Sequence, residues 1–303
     1  MKSFRQLVSW AIRRWPSRRR ALEARIRYLE NEIGRQAALQ RYSAAPIIRD
    51  LPSTRQTKTS FNYQWKNLPT GRHTLENERF CQEAVDNVCR FTRLAPEWFP
   101  ARNVVDIGSG AGRYSWALCM LGARVLSVDQ SVEGLEIARQ LCKSFPDHQV
   151  LQADCLAPFP MDEKFDLVWS FGVIHHTGDG YKAFQNMARL VKPGGFIFLM
   201  VYGEPRRGHV EDYEEINEYM DWRKLTQNLD PAQKLAILRE AMRNRRLRNF
   251  GEEYIHGYFD AISPSINDLY SWQEIEGWLL EQGFGKIQRT LDSRNHHVVA
   301  QRE

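Results

Sequence analysis

The 303-residue sequence predicts an α/β fold with a doubly wound, mostly parallel sheet, and three observations carry that expectation. Short β-rich runs alternate with helical patterns from Asn103 to Val201, the signature of consecutive βαβ units. The first run leads into a glycine turn and then a helix, Val104-Val105-Asp106-Ile107-Gly108-Ser109-Gly110-Ala111-Gly112-Arg113. The same rhythm returns near the end of the chain, after a polar helical stretch.

Taken in order, strands are expected at Val104 to Ile107, Val125 to Val128, Val150 to Ala153, Leu167 to Phe171 and Phe196 to Val201. Helices are expected near Glu76 to Leu94, Arg113 to Leu121, Val132 to Lys143 and Tyr181 to Leu190. From Glu204 to Asn267 the chain turns polar and helical, and Asp230-Pro231 supplies a cap and a first-turn proline. Ser271-Trp272-Gln273-Glu274 has capping-box spacing and opens a helix to Gln282, stopped by Gly283 or Gly285. Lys286 to Leu291 and His297 to Ala300 flank a polar turn and are expected to pair as an antiparallel terminal hairpin.

Upstream of the sheet the character differs. The first twenty residues hold Lys2, Arg5, Arg13, Arg14, Arg18, Arg19 and Arg20 and no acid, interleaved with Trp10, Trp15 and aliphatic residues. This reads as a basic amphipathic helix within an arm spanning 1-41, suited to peripheral contact with an anionic membrane through residues 1-20. A helix packed on its own domain or on a partner, and a cleaved Arg-rich presequence, are the competing readings. Leu22, Ile26, Leu29 and Ile33 make a short seam, for a homodimer through the N-terminal helix or for docking on the main domain. Residues 42-100 are expected to be a linker and helical cap over the site, with Pro46, Pro52 and Pro69 marking irregular chain. The main domain is expected over 101-303, with a helical insertion at 204-267.

Composition bounds the function. Hydrophobic residues make up 43% and charged residues 26%, ordinary for a globular chain, and no run of about eighteen apolar residues is present to span a bilayer. The five cysteines are scattered with no C-x-x-C spacing, so neither a disulfide framework nor a zinc site is expected and no metal is assigned. That usage fits a cytoplasmic protein, the arm suggesting a peripheral position at the inner face of the membrane. Of the net +5, the first fifty residues carry twelve Lys and Arg against four Asp and Glu, so the basicity belongs to the arm.

The glycine turn brings backbone close to a ligand and exposes helix N-terminal amides. Its G-x-G-x-G spacing departs from the G-x-G-x-x-G of dinucleotide sites, since Arg113 stands where the last glycine would be. Asp129 ends the second strand, where a carboxylate can accept from both ribose hydroxyls of an adenosine, and Asp154 ends the third, within reach of an adenine amino group. The alternative is three solvated turn aspartates.

With these marks, and with Phe165-Asp166-Leu167-Val168 and Leu190-Val191-Lys192-Pro193-Gly194-Gly195 in order, the chain resembles the class I S-adenosylmethionine-dependent methyltransferases, particularly the bacterial small-molecule and ubiquinone-type set. The resemblance covers Asn103 to Val201 by motif and Ser271 to Ala300 in topology. It implies a Rossmann-like seven-stranded sheet and S-adenosyl-L-methionine as cofactor. Asp106 with Gly108, Ser109, Gly110 and Gly112 would cradle the methionine part, Asp129 the ribose, and Asp154 with Cys155 the adenine. Gln130 and Phe171 are counted with these contacts. Tyr63 or Trp65, in an aromatic cluster before the domain, would cover the sulfonium.

Methyl transfer from a sulfonium is an in-line displacement that chiefly requires alignment and exclusion of water. An oxygen acceptor usually needs a base, and His175 and His176 follow the fourth strand. One of them is expected to take the proton or position the acceptor, unless the pair merely caps the next helix. Tyr202 and Glu204 stand on the same rim, and the insertion offers Tyr213, Tyr219, Trp222, Tyr254, Tyr258 and His256 for an acceptor pocket. The expected acceptor is an oxygen or nitrogen of a small molecule, glycan or lipid-linked precursor. A nucleic-acid methyltransferase using the arginine arm is the alternative, disfavoured because Ser170-Phe171-Gly172-Val173 replaces an N/D-P-P-aromatic tetrad. A binding scaffold without turnover is the third reading.

Overall fold

The computed structural model describes residues 52–68, 78–160, 164–249, 251 and 254–303. The basic arm and its apolar seam, on which the membrane and dimer expectations rest, lie outside the described residues.

Seven strands form one sheet: β1 (Asn103–Ile107), β2 (Arg124–Asp129), β3 (Gln149–Gln152), β4 (Phe165–Phe171), β5 (Val191–Val201), β6 (Phe284–Arg289) and β7 (His296–Arg302). Their spatial order is β3-β2-β1-β4-β5-β7-β6. The first five run parallel, and β7 lies antiparallel between β5 and β6. The order reverses between β1 and β4, and such a switch opens a crevice at the carboxyl ends of the strands.

The strands are apolar on both faces because helices cover both. On one face Val104, Leu167, Trp169 and Phe198 pack with α2 (Glu78–Thr92) and α3 (Arg113–Met120) through Val88, Phe91, Ala117 and Leu118. On the other, Val105, Val168 and Ile197 pack with α5 (Gly180–Ala188) and α9 (Trp272–Glu281) through Phe184, Met187, Ile275 and Leu279. α4 (Val132–Leu141) follows β2, its N-terminus capped by the Ser131 hydroxyl accepting from Gly134 N. Both expected capping boxes are present, Ser271 with Glu274 and Asp230 with Gln233.

Two expectations need correction. β5 begins at Val191 rather than Phe196, because Val191 pairs with Phe165 while Phe196 already pairs with Leu167. The intervening Lys-Pro-Gly-Gly is accommodated as an irregularity within the strand, tied down by Lys192 to Asp166 at 3.2 Å. Second, Pro52 does not mark irregular chain. It stands at the first position of a sixteen-residue helix, α1 (Pro52–Asn67), where a proline's missing N–H costs nothing.

The insertion forms three helices, α6 (Val210–Thr226), α7 (Pro231–Arg243) and α8 (Ile255–Ile262). Leu235, Leu238, Met242, Ile255, Tyr258 and Phe259 make a core separate from the sheet's, which Leu68, just past α1, joins. α1 is pinned to the end of α8 by side chains: Gln56 Nε2 donates to Ser263 O at 2.8 Å, and Thr57 Oγ1 accepts from Ile266 N at 3.1 Å.

Candidate active site

A cavity of about 290 Å³ opens over the carboxyl ends of β1, β2 and β4, walled on its other side by α1 and α8. That volume sits at the lower edge of the range ordinary for small-molecule sites.

Its floor is the glycine turn. Gly108 (φ +75°) lies so close to the loop after β4 that an added Cβ would stand 2.2 Å from Val173 Cγ2, so any side chain there would push the loop and the turn apart. Gly108 and Ser109 line the cavity, whereas Gly110 and Gly112 do not. Gly110 lies beneath Trp65, and Gly112 lets α3 approach Ala138 of α4. Both glycines thus stand just behind the lining, at close contacts around the turn.

Asp106 is 2% exposed, and its Oδ2 accepts from Ser115 Oγ at 2.6 Å. Behind it Ser127 Oγ donates to Ser115 Oγ at 2.7 Å and lies 2.8 Å from His148 Nε2. Burial pushes the Asp106 carboxyl up to about 7, against the Ser115 hydrogen bond and with the help of nearby Asp129. Asp129 accepts from Gly110 N at 2.8 Å and Ser131 N at 2.7 Å, one amide on each oxygen. Burial raises its pKa while those amides oppose the rise. Each oxygen keeps a lone-pair direction, which suits a pair of ribose hydroxyls. Gln130, Asp154 and Cys155 also line the cavity. Asp154 Oδ1 accepts from Leu156 N at 2.9 Å, and burial pushes the Cys155 thiol up to about 12. Phe171 reaches the cavity from an aromatic stack with Tyr114, its ring centroid 4.8 Å away.

The two histidines separate. His176 lines the cavity, and its Nδ1 is 2.9 Å from the Ile266 carbonyl oxygen. A carbonyl only accepts, so Nδ1 carries the hydrogen and Nε2 keeps a lone pair. Burial pushes His176 down to about 4, so it is neutral and accepting at physiological pH. His175 is fully buried, outside the cavity wall, stacked on Tyr202 with centroids 3.7 Å apart. Its Nδ1 accepts from Tyr202 N at 3.3 Å, so its only basic nitrogen is already used. The expectation that His175 serves as base is therefore corrected: it holds the loop after β4 against the start of the β5 exit. Tyr202 itself lines the cavity, and burial raises its phenol pKa, so the hydroxyl keeps its proton. Glu204 is exposed and lies outside.

The wall opposite the sheet differs from expectation. Tyr63 turns away from the cavity to pack against Phe259, with centroids 6.1 Å apart, and Trp65 lines the cavity instead. Thr54, Thr57, Phe61 and Gln64 join it from α1, and His256 and Asp260 from α8. Of the insertion residues named from sequence, only His256 reaches the wall. Tyr219, Trp222 and Tyr258 pack in the insertion's own core, Tyr213 is buried and Tyr254 is exposed. Sequence reasoning missed Gln64 and Asp260. A signal existed for the first: Thr57, Ser60, Gln64 and Leu68 recur at spacings of three and four, and all are buried.

Residues 105–199 match the family described as a methyltransferase domain. Over this stretch the chain is similar to methyltransferases. The demethylmenaquinone methyltransferase of Tropheryma whipplei (strain Twist) is 31% identical over 104 residues, 34% of this chain and 43% of that protein. The ubiquinone biosynthesis O-methyltransferase of Sinorhizobium fredii is 32% identical over 120 residues, 38% of this chain and 48% of that protein. The chain thus spans about half or less of the length of these curated relatives. Among solved structures, an O-methyltransferase family protein from Burkholderia thailandensis superimposes with TM-score 0.50 at 15% identity, over 84% of this chain and 67% of that one. The magnesium protoporphyrin IX methyltransferase of Synechocystis PCC 6803, solved with bound S-adenosylmethionine, gives 0.50 at 14% identity over 84% and 99%. Both likenesses reach well beyond the domain's core strands, and at this identity they establish the fold. No helix among the described residues is long and apolar enough to cross a membrane.

Proposed function

We propose that the chain transfers the methyl group of S-adenosylmethionine to an oxygen or nitrogen of a small-molecule, glycan or lipid-linked acceptor, with His176 holding the acceptor's hydrogen. When bound, the cofactor supplies an electrophilic methyl group on a sulfonium. The residues around the turn fit it: Gly108 brings bare backbone to the cavity wall, Asp129 offers two amide-anchored oxygens for the ribose, and Asp154 with Cys155 flanks the adenine position. Asp106, Ser109, Gln130 and Phe171 complete that half.

The observation that carries the reading is His176, whose Nδ1 faces a carbonyl so that Nε2 can accept, in the same cavity as the glycine turn. A neutral, accepting imidazole orients an acceptor hydroxyl or amine by its hydrogen. It then takes the proton as the acceptor atom forms its new bond and turns acidic. Tyr202 contributes a donor on the same rim, and α1 with the insertion shields the cavity from water. The names of the matched relatives, which concern ubiquinone and menaquinone compounds, support a small-molecule acceptor.

Incubating the protein with methyl-labelled S-adenosylmethionine and fractionated cell extract, followed by mass spectrometry, is expected to yield one labelled small product. Uptake of S-adenosylhomocysteine by calorimetry is the prior check; a folded protein that binds none would remove the proposed activity.

A further inference from the structure

We infer that the acceptor carries a protonated amine, separate from the atom that is methylated, and that Asp260 and Gln64 hold it. This rests on the reading above, in which the acceptor occupies the cavity beside His176.

Both residues line the cavity, and both come from outside the 105–199 domain: Gln64 from α1 and Asp260 from α8. Gln64 is 1% exposed. Its amide nitrogen lies 3.5 Å from His256 Nδ1, and its side chain also hydrogen-bonds Asp260, so its donors are committed. What remains is acceptors. Gln64 Oε1 and Asp260 Oδ1 are both enclosed and have no hydrogen-bond partner in the protein.

Two enclosed acceptors are costly unless a ligand donates to them, and the cost is greater for a charged group. A hydroxyl has one hydrogen to give and no charge. An ammonium has three and neutralises the carboxylate. No Lys or Arg among the described residues acts on the Asp260 carboxyl, which burial pushes up to about 7. Phe61 lines the neighbouring wall, and a cation gains by standing near an aromatic ring. The amine must be a handle rather than the nucleophile, because once protonated its nitrogen has no lone pair to attack with.

The probes are benzylamine and benzyl alcohol, equal in ring and differing in the donor, titrated at neutral pH into the full chain saturated with S-adenosylhomocysteine. Ligand-detected NMR or calorimetry reads the affinities. Benzylamine is expected to bind at least about tenfold tighter than the alcohol, a margin typical of one paired charge. Asp260→Asn is expected to erase that preference while leaving the S-adenosylhomocysteine affinity within about twofold. Gln64→Met, which keeps the volume and removes the acceptor, is expected to reduce it, and it serves alone if the Asp260 variant does not fold. Equal or tighter binding of the alcohol, no detectable benzylamine binding up to about 10 mM, or a preference that survives both substitutions overturns the inference. Failure of the unmodified protein to take up S-adenosylhomocysteine would instead remove the methyltransferase reading itself.

Discussion

The two walls of the cavity are built in different ways. On the sheet side, polar groups are held by neighbours in the same βαβ units: Asp129 is fixed by amides two and nineteen residues away, and Asp106 by a serine nine residues on. On the helical side, the contacts that seat α1 against the insertion join residues far apart in the chain, more than two hundred positions for Gln56 with Ser263 and for Thr57 with Ile266. The first wall follows from local backbone geometry. The second exists only once distant helices have packed. One wall is therefore expected to hold the cofactor and the other to choose the acceptor, and substitutions can pull the two apart.

The largest effect is expected from His176→Ala, a loss of about a hundredfold or more in kcat with S-adenosylhomocysteine affinity nearly unchanged, since positioned acid–base groups contribute about 10²–10⁴-fold. Steady-state kinetics alongside calorimetry would check it; equal turnover would show that the histidine only shapes the wall. Gly108→Ala should do the reverse. Its Cβ would meet Val173 at 2.2 Å on a backbone with φ +75°, so cofactor affinity is expected to fall about a hundredfold. If affinity survives, the turn is not the cradle.

Acidity should separate the buried histidines from the buried carboxylates by sign. His176 and His297 are each 8% exposed and are pushed down to about 4 by burial. They are neutral in the fold and ordinary when unfolded, so their contribution is present above about 6.5 and lost as pH falls toward 4, roughly 3 kcal/mol each. His148, His175 and His296 are lowered as well, the largest cause again burial. Asp106 and Asp260, raised to about 7, act oppositely: their contribution is present below the ordinary carboxylate range and is lost as pH rises through 7. With five lowered histidines against three raised carboxylates, Asp129 among them, the urea midpoint is expected to be lower at pH 5 than at pH 7. Asp260→Asn should raise stability at pH 8 and leave it nearly unchanged at pH 4. The smallest effect is reserved for Gln56→Ala, which removes bonds to Ser263 O and Ser265 N. About 1–2 kcal/mol of stability should go, with a raised KM for the acceptor and no change in cofactor affinity. A matching drop in cofactor affinity would mean that the two walls are one unit.

The same division explains what was legible beforehand. Strand ends, glycine spacing and capping residues are read within a few positions, so the order of elements, Asp106, Asp129 and Asp154 could be found from the chain alone. Val191 escaped because Lys-Pro-Gly-Gly looks like a turn, yet an irregular stretch of β5 absorbs it. Pro52 misled for the opposite reason, since the residue that breaks a helix interior also begins one. Tyr63 and Trp65 sit two apart on α1, and only the position of α8 decides which ring faces Phe259 and which the cavity. Neither spacing nor composition carries that choice. The same holds for His175 and His176, adjacent residues whose ring nitrogens are assigned by Tyr202 and Ile266.

Trp65 over Gly110, Gln64 beside Asp260 and Thr57 at Ile266 all belong to α1, within nine residues of one another. A helix is stiff over two and a half turns, so none of the three can shift without carrying the others. One helix thereby sets the spacing between the nucleoside side and the second compound's seat.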